Sequence, residues 1–181
     1  MEKVKGSKVC EDHLRARAEN SRSRSPRSTW VIIGIGNAFR GDDAVGLVVA
    51  RMLKEKALPD VRIVEVSGEA ASLIELWKDA DSVILIDAVR SGNRPGTVYR
   101  LDGHVEPIPA SFLRHSTHTF GVAEAIELAR TLNELPSRLI LYGIEGKSFA
   151  VGTGLSPEVE AAATDVAMRI ADEVYRRLGK L

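Results

Sequence analysis

Three short apolar runs constrain this fold more than any other feature. They read WVIIGIG from Trp30, SVILIDA from Ser82 and RLILYGI from Arg138. Runs this short and this continuously apolar describe strands buried on both faces of a sheet. Between them the apolar period becomes helical. DDAVGLVVARMLKEKAL places Val45, Val48, Val49, Met52 and Leu53 on one helical face. EAASLIELWKDA groups Leu73, Leu76 and Trp77, and TFGVAEAIELARTLN carries Val122, Ala125, Ile126, Ala129 and Leu132. VRIVEV adds a strand, and GTVYRL, after the NRPG turn, a short alternating strand suited to a sheet edge. The last helix has clear start signals: Ser156 as N-cap, Pro157 at the first helical position and Glu158 at the positive helix end. Its stripe runs Val159, Ala163, Val166, Ile170, Val174. Alternating strands and helices with wholly apolar strands predict an α/β fold, a mainly parallel sheet covered on both faces.

Composition sets the outer limits. The chain has 181 residues, 44% of them hydrophobic and 28% charged, which suits one globular domain. No apolar run reaches about 18 residues, so no membrane span is expected. The single cysteine, Cys10, excludes a disulfide framework. The start lacks an apolar core of signal-peptide type, which favours a cytoplasmic protein. The net charge is zero but uneven: residues 1–29 hold eight Lys and Arg against four acids, a balance of +4, which leaves −4 for the rest. A mildly acidic body argues against nucleic-acid binding, which depends on neutralising phosphates. Residues 1–28, ending in SRSRSPRS, read as a disordered basic extension, and 29–181 as one α/β domain.

In such folds, sites form beyond the carboxyl ends of the strands. The first strand is followed by GNAFRGDD. Asp87 ends the third, and RHSTH precedes the helix at 119. Gly34 and Gly36 match two positions of a dinucleotide fingerprint, but Phe39 occupies the third, and Asp42 and Asp43 would repel a pyrophosphate. The ordinary role of such an acid pair is helix capping, which suits Asp42 and leaves Asp43 free to face the cleft. Asp87 closes a hydrophobic strand, so its carboxylate needs donors, a cation or solvent. His118 precedes a positive helix end, which favours a neutral imidazole able to bind a metal. His115, Glu65, Glu69, Glu145 and Lys147 read as structural or solvated. There is no GxSxG elbow, no HExxH helix and no cysteine in the folded part. Asp43, Asp87 and His118 remain: an oxygen and nitrogen set that suits a divalent metal with open positions.

GIGNAFRGDDAVG, VILIDAV with Asp87, STH with His118, and GTGLSPEV resemble the hydrogenase maturation endopeptidases. The resemblance runs from about Trp30 to the last helix. It implies a three-layer α/β fold with a twisted, mostly parallel five-stranded sheet flanked by helices on both faces. It also implies an endopeptidase that removes the C-terminal peptide of a nickel–iron hydrogenase large-subunit precursor after nickel insertion. By motif match its metal-binding and catalytic residues fall on Asp43, Asp87 and His118. The nickel belongs to the substrate, so the free enzyme need carry none. The nickel would either polarise the scissile carbonyl or supply hydroxide at neutral pH. Two departures stand out: the first acid is often glutamate in this family, and EVSGEAAS lacks the DGGT of many members. EVSGEAAS, DAVRSG and YGIEG are closer to the branch serving cytoplasmic, bidirectional or cofactor-coupled hydrogenases. A monomer is expected. Two other readings stay open: a non-catalytic nickel-binding assembly factor, and a nucleotide-binding module. Phe39, Arg40 and the 146–154 loop are candidate substrate contacts by position.

Overall fold

The computed structural model describes residues 29–67, 70–105 and 121–179. The N-terminal extension, Glu69, His115 and His118 lie outside the described residues. The five strands are β1 (Trp30–Ile35), β2 (Val61–Val66), β3 (Ser82–Val89), β4 (Val98–Asp102) and β5 (Arg138–Glu145). They form one sheet in the order β2-β1-β3-β5-β4. All neighbours are parallel except β4, which pairs antiparallel with β5 at one edge. The helices are α1 (Val45–Glu55), α2 (Ala70–Trp77), α3 (Val122–Leu132) and α4 (Pro157–Arg177).

Residue parity along the strands divides the core into two layers, as side chains alternate across a pleated sheet. Ile32, Ile84, Ile86, Ile140 and Tyr142 pack with Val45, Val49 and Leu53 of α1 and with Val159, Ala163, Val166, Ile170 and Val174 of α4. Val31, Ile33, Val83, Leu85, Leu139 and Leu141 pack with Leu73 and Trp77 of α2 and with Val122, Ala125, Ile126 and Ala129 of α3. The expected helical stripes are therefore buried, or partly so at Val48, Met52 and Leu76, with one exception. Leu132 is exposed, because α3 stops at once in a left-handed Asn133 and never carries that side chain onto the sheet.

The strand order creates a switch point. From β1 the chain crosses to β2 on one side, and β3 then returns to the other side of β1. The crevice beyond the carboxyl ends of β1 and β3 is where this topology opens. Close packing sharpens it. A Cβ on Gly46 would lie 2.3 Å from the carbonyl oxygens of both Ile35 and Ile86, so only glycine lets the start of α1 sit between the two strand ends.

Candidate active site

Asp43 reaches the crevice through a short 3-10 turn, Gly41–Ala44, that joins the β1 loop to α1. Gly36, at φ 151°, lets the chain fold back so closely that an added Cβ would lie 1.9 Å from the Asp43 carbonyl oxygen. The Asn37 amide donates to that same oxygen at 3.2 Å. The Asn37 side-chain oxygen accepts from the Phe39 amide at 2.9 Å, a local turn that holds the loop.

Nearly every amide of this loop is committed to the protein's own carbonyls: Gly36 to Val66, Arg40 to Asn37, Gly41 to Gly152, Asp42 to Ser148 and Asp43 to Arg40. A phosphate cradle needs such amides pointing at a ligand. The glycines here serve close backbone approach within the chain, which removes the support for nucleotide binding.

Asp87 lies one residue past the end of the β1–β3 ladder, whose last pair is Gly34 with Ile86. On its other side it stays in register with Gly143 of β5. The strand does not end there, as the sequence suggested. It continues two residues to Val89, held by β5 alone. Asp87 is thus fixed by one neighbour and exposed to the crevice where the other neighbour stops. Burial and the nearby charge of Asp43 push its carboxyl from the ordinary 3.8 up to about 8, opposed by a hydrogen bond from the Ala88 amide at 2.8 Å. Asp43, nearly buried, is thus close enough for the two acids to oppose each other's charge.

Asp42 does something other than cap. Neither the 3-10 turn nor α1 has a side-chain cap, and Asp42 is fully buried. Its Oδ2 accepts from the amides of Lys147 and Ser148 and from the Ser156 hydroxyl, each at 2.8 Å. Its Oδ1 accepts from the Ser156 amide at 2.6 Å. Burial alone would raise its pKa, but bonds from Ser156, Ser148 and Lys147 outweigh that and lower it. Ser156 does sit at the N-cap of α4, but its hydroxyl goes to Asp42 and not to the helix. One carboxylate therefore ties the β1 loop to both ends of the glycine-rich loop after β5.

The same loops are stitched by backbone bonds between Phe39 and Gly152, Gly41 and Gly152, and Asp42 and Ser148. This leaves Phe39 and Val151 exposed side by side on the rim, at 71% and 91%. Glu145, buried at the end of β5, is structural. It accepts from the Ser91 amide and hydroxyl and from the Gly92 amide at 2.7–2.9 Å, which holds the turn between β3 and β4. Glu65 pairs with Arg51 and Lys54, and Lys147 with Glu158, so these remain outside the chemistry. Among the described residues no group of three His, Cys, Asp or Glu is placed to hold a metal ion. The structure brings together Asp43 and Asp87. Two hard oxygen donors in a half-dry crevice can receive a cation.

Comparison with known proteins agrees with this geometry. The family described as hydrogenase maturation protease matches residues 47–173. The hydrogenase 2 maturation protease of Escherichia coli is 33% identical over 135 residues, 72% of this chain and 81% of that protein. The structure of a hydrogenase maturating endopeptidase from E. coli superimposes with a TM-score of 0.66 at 31% identity, covering 82% of this chain and 93% of the other. A [NiFe] hydrogenase maturation protease from Thermococcus kodakarensis gives 0.61 at 28% identity, over 84% and 95%. Extent of match, fold and identity agree, and the chain belongs to the hydrogenase maturation protease family.

Proposed function

We propose that this protease removes the C-terminal peptide of a nickel–iron hydrogenase large-subunit precursor once nickel has been inserted, and that Asp43, Asp87 and His118 recognise the nickel carried by that substrate. The observation that supports this best is the closeness of Asp43, on the 3-10 turn after β1, to Asp87 of β3 at the β1/β3 switch point. Two carboxylates whose charges oppose each other in a partly dry crevice both gain from a cation placed between them. The metal of a correctly loaded precursor supplies that cation, and an empty precursor does not. His118 completes the ligand set by motif, and a neutral imidazole complements two carboxylates as a ligand for nickel.

In this reading the protein's own groups position and discriminate. Asp42 holds the two loops together, so that the acid next to it and the rim of the site move as one unit. Phe39 and Val151 meet the precursor beside the scissile segment. The substrate's nickel supplies Lewis-acid activation of the scissile bond. No serine or cysteine nucleophile is required.

The experiment is direct. Precursor with and without nickel is incubated with the protein, and its mass is followed. Loss of a C-terminal peptide only from the loaded form is the expected result. Binding of loaded precursor with no change in mass would instead identify a non-catalytic assembly factor.

A further inference from the structure

A second pocket lies away from the crevice. It has a volume of about 440 Å³ and is lined by Arg100, Arg138, Tyr142, Arg169, Glu173, Arg176 and Arg177. Arg138, which opens β5, and Glu145, at the crevice end of that strand, are roughly 23 Å apart at ~3.3 Å per residue, and Tyr142 lines the pocket between them.

Five arginines and one glutamate line it. Glu173 pairs with Arg138 and, at 3.3 Å, with Arg100, and it accepts the Tyr142 hydroxyl at 3.3 Å. Arg100 also lies over the Tyr142 ring, 5.9 Å from its centre. This inner network accounts for two arginines only. Arg169 makes an exposed pair with Asp165 one helical turn away, of the kind that contributes little. Arg176 spends its Nε on the Asp172 carbonyl of its own helix. Arg177 has no ion-pair partner among the described residues. The Nε of Arg138 is buried with no hydrogen-bond partner among them. A ring of like charge with idle donors is costly to maintain for structure alone.

We propose that this pocket binds a small ligand carrying two or more oxyanion groups, held by Arg169, Arg176 and Arg177 over the Arg100–Glu173–Arg138 floor. The absence of lysine among the lining residues favours planar, bidentate recognition of phosphate or carboxylate oxygens. The volume suits a small molecule. Phosphate and carboxylate ligands share this chemistry, and two probes separate them: inorganic pyrophosphate and citrate.

The test is calorimetric titration of the full chain with each probe at low ionic strength. The variants are Arg169→Glu/Arg177→Glu, which leaves the Glu173 network untouched, and Lys56→Glu/Lys78→Glu, which matches the charge change away from the pocket. Saturable binding that falls about tenfold or more in the arginine variant, and survives in the lysine variant, is the expected result. Preference for pyrophosphate assigns a phosphate-bearing ligand, and preference for citrate a carboxylate-bearing one. Arg177→Ala should weaken binding in the same direction, and it serves if the double variant fails to fold. No saturable binding of either probe, or equal weakening in both double variants, overturns the proposal.

Discussion

Burial, reinforced by the charge of Asp43, keeps the Asp87 carboxyl protonated up to about 8. One side chain comes from the 3-10 turn before α1 and the other from β3, so the coupling depends on the fold and not on sequence proximity. Asp43→Asn removes the neighbouring charge but leaves the burial. The pKa of Asp87 should fall yet stay above 3.8, because the larger cause persists. Titration of the Asp87 side-chain carbon by NMR reads this directly. An unchanged midpoint would mean that the acids are not coupled.

Asp87 should also cost the free protein stability at alkaline pH. Below about 4 both folded and unfolded chains carry the proton. Between there and about 8 only the folded chain keeps it, so stability declines as pH rises through this window and levels off above it. Asp87→Asn has no charge to desolvate. Its unfolding temperature should exceed that of the parent at pH 8, and the gain should vanish near pH 4. The same variant should no longer cleave loaded precursor. Functional groups held at a stability cost behave in this way. A lower unfolding temperature at pH 8 would refute the assignment of Asp87 as a destabilising acid.

Asp42 should act in the opposite sense. Its lowered pKa adds stability above its unfolded value, and that stability is lost as pH falls through the folded one. Asp42→Asn presents an amide NH2 to donors that need an acceptor, and should destabilise by about 2–4 kcal/mol. Hydrogen exchange should quicken first at the amides of Lys147, Ser148 and Ser156. If exchange there is unchanged, the carboxylate does not hold the loop.

The contrast between these neighbouring acids shows what the sequence could reveal. The sheet was legible because buried parallel strands are continuously apolar, and Val159, Ala163, Val166, Ile170 and Val174 all proved fully buried. The nearness of Asp43 to Asp87 was legible because one lies in the loop region after an apolar strand and the other near the carboxyl end of its neighbour, where sites form. The role of Asp42 was not, because an acid in a first helical turn looks like a cap whatever it touches. Its true partners are more than a hundred residues away, at Lys147, Ser148 and Ser156. The available signal was EGKSFAVGTG itself, a loop rich in glycine whose amides need an acceptor. Glu145 proved buried and bonded within the protein, but its partners Ser91 and Gly92 are more than fifty residues away and could not be named.

Gly46 tests how tightly α1 is seated between the strand ends. Gly46→Ala gains helix propensity, up to ~1 kcal/mol in isolation. Yet its Cβ would press against two backbone carbonyls at 2.3 Å, which cannot rotate away. The clash should win, with a net loss of about 1–3 kcal/mol by denaturant titration. The displaced helix start should also move Asp43 and slow cleavage. A variant as stable as the parent would show that α1 can shift without cost.

Phe39 and Val151 offer the most direct view of the substrate side. Each is exposed, so truncation should leave the unfolding temperature within about 1–2 °C, as surface changes usually do. They belong to two segments tied by the bond from the Gly152 amide to the Phe39 carbonyl at 3.0 Å, so their backbones are held together. If the precursor rests on this pair, the Phe39→Ser/Val151→Ser variant should raise KM for loaded precursor about tenfold, with kcat nearly unchanged. That pattern separates lost docking from lost chemistry. A fall in kcat at constant KM would place the pair in catalysis, and wild-type kinetics would remove the rim from the substrate's path.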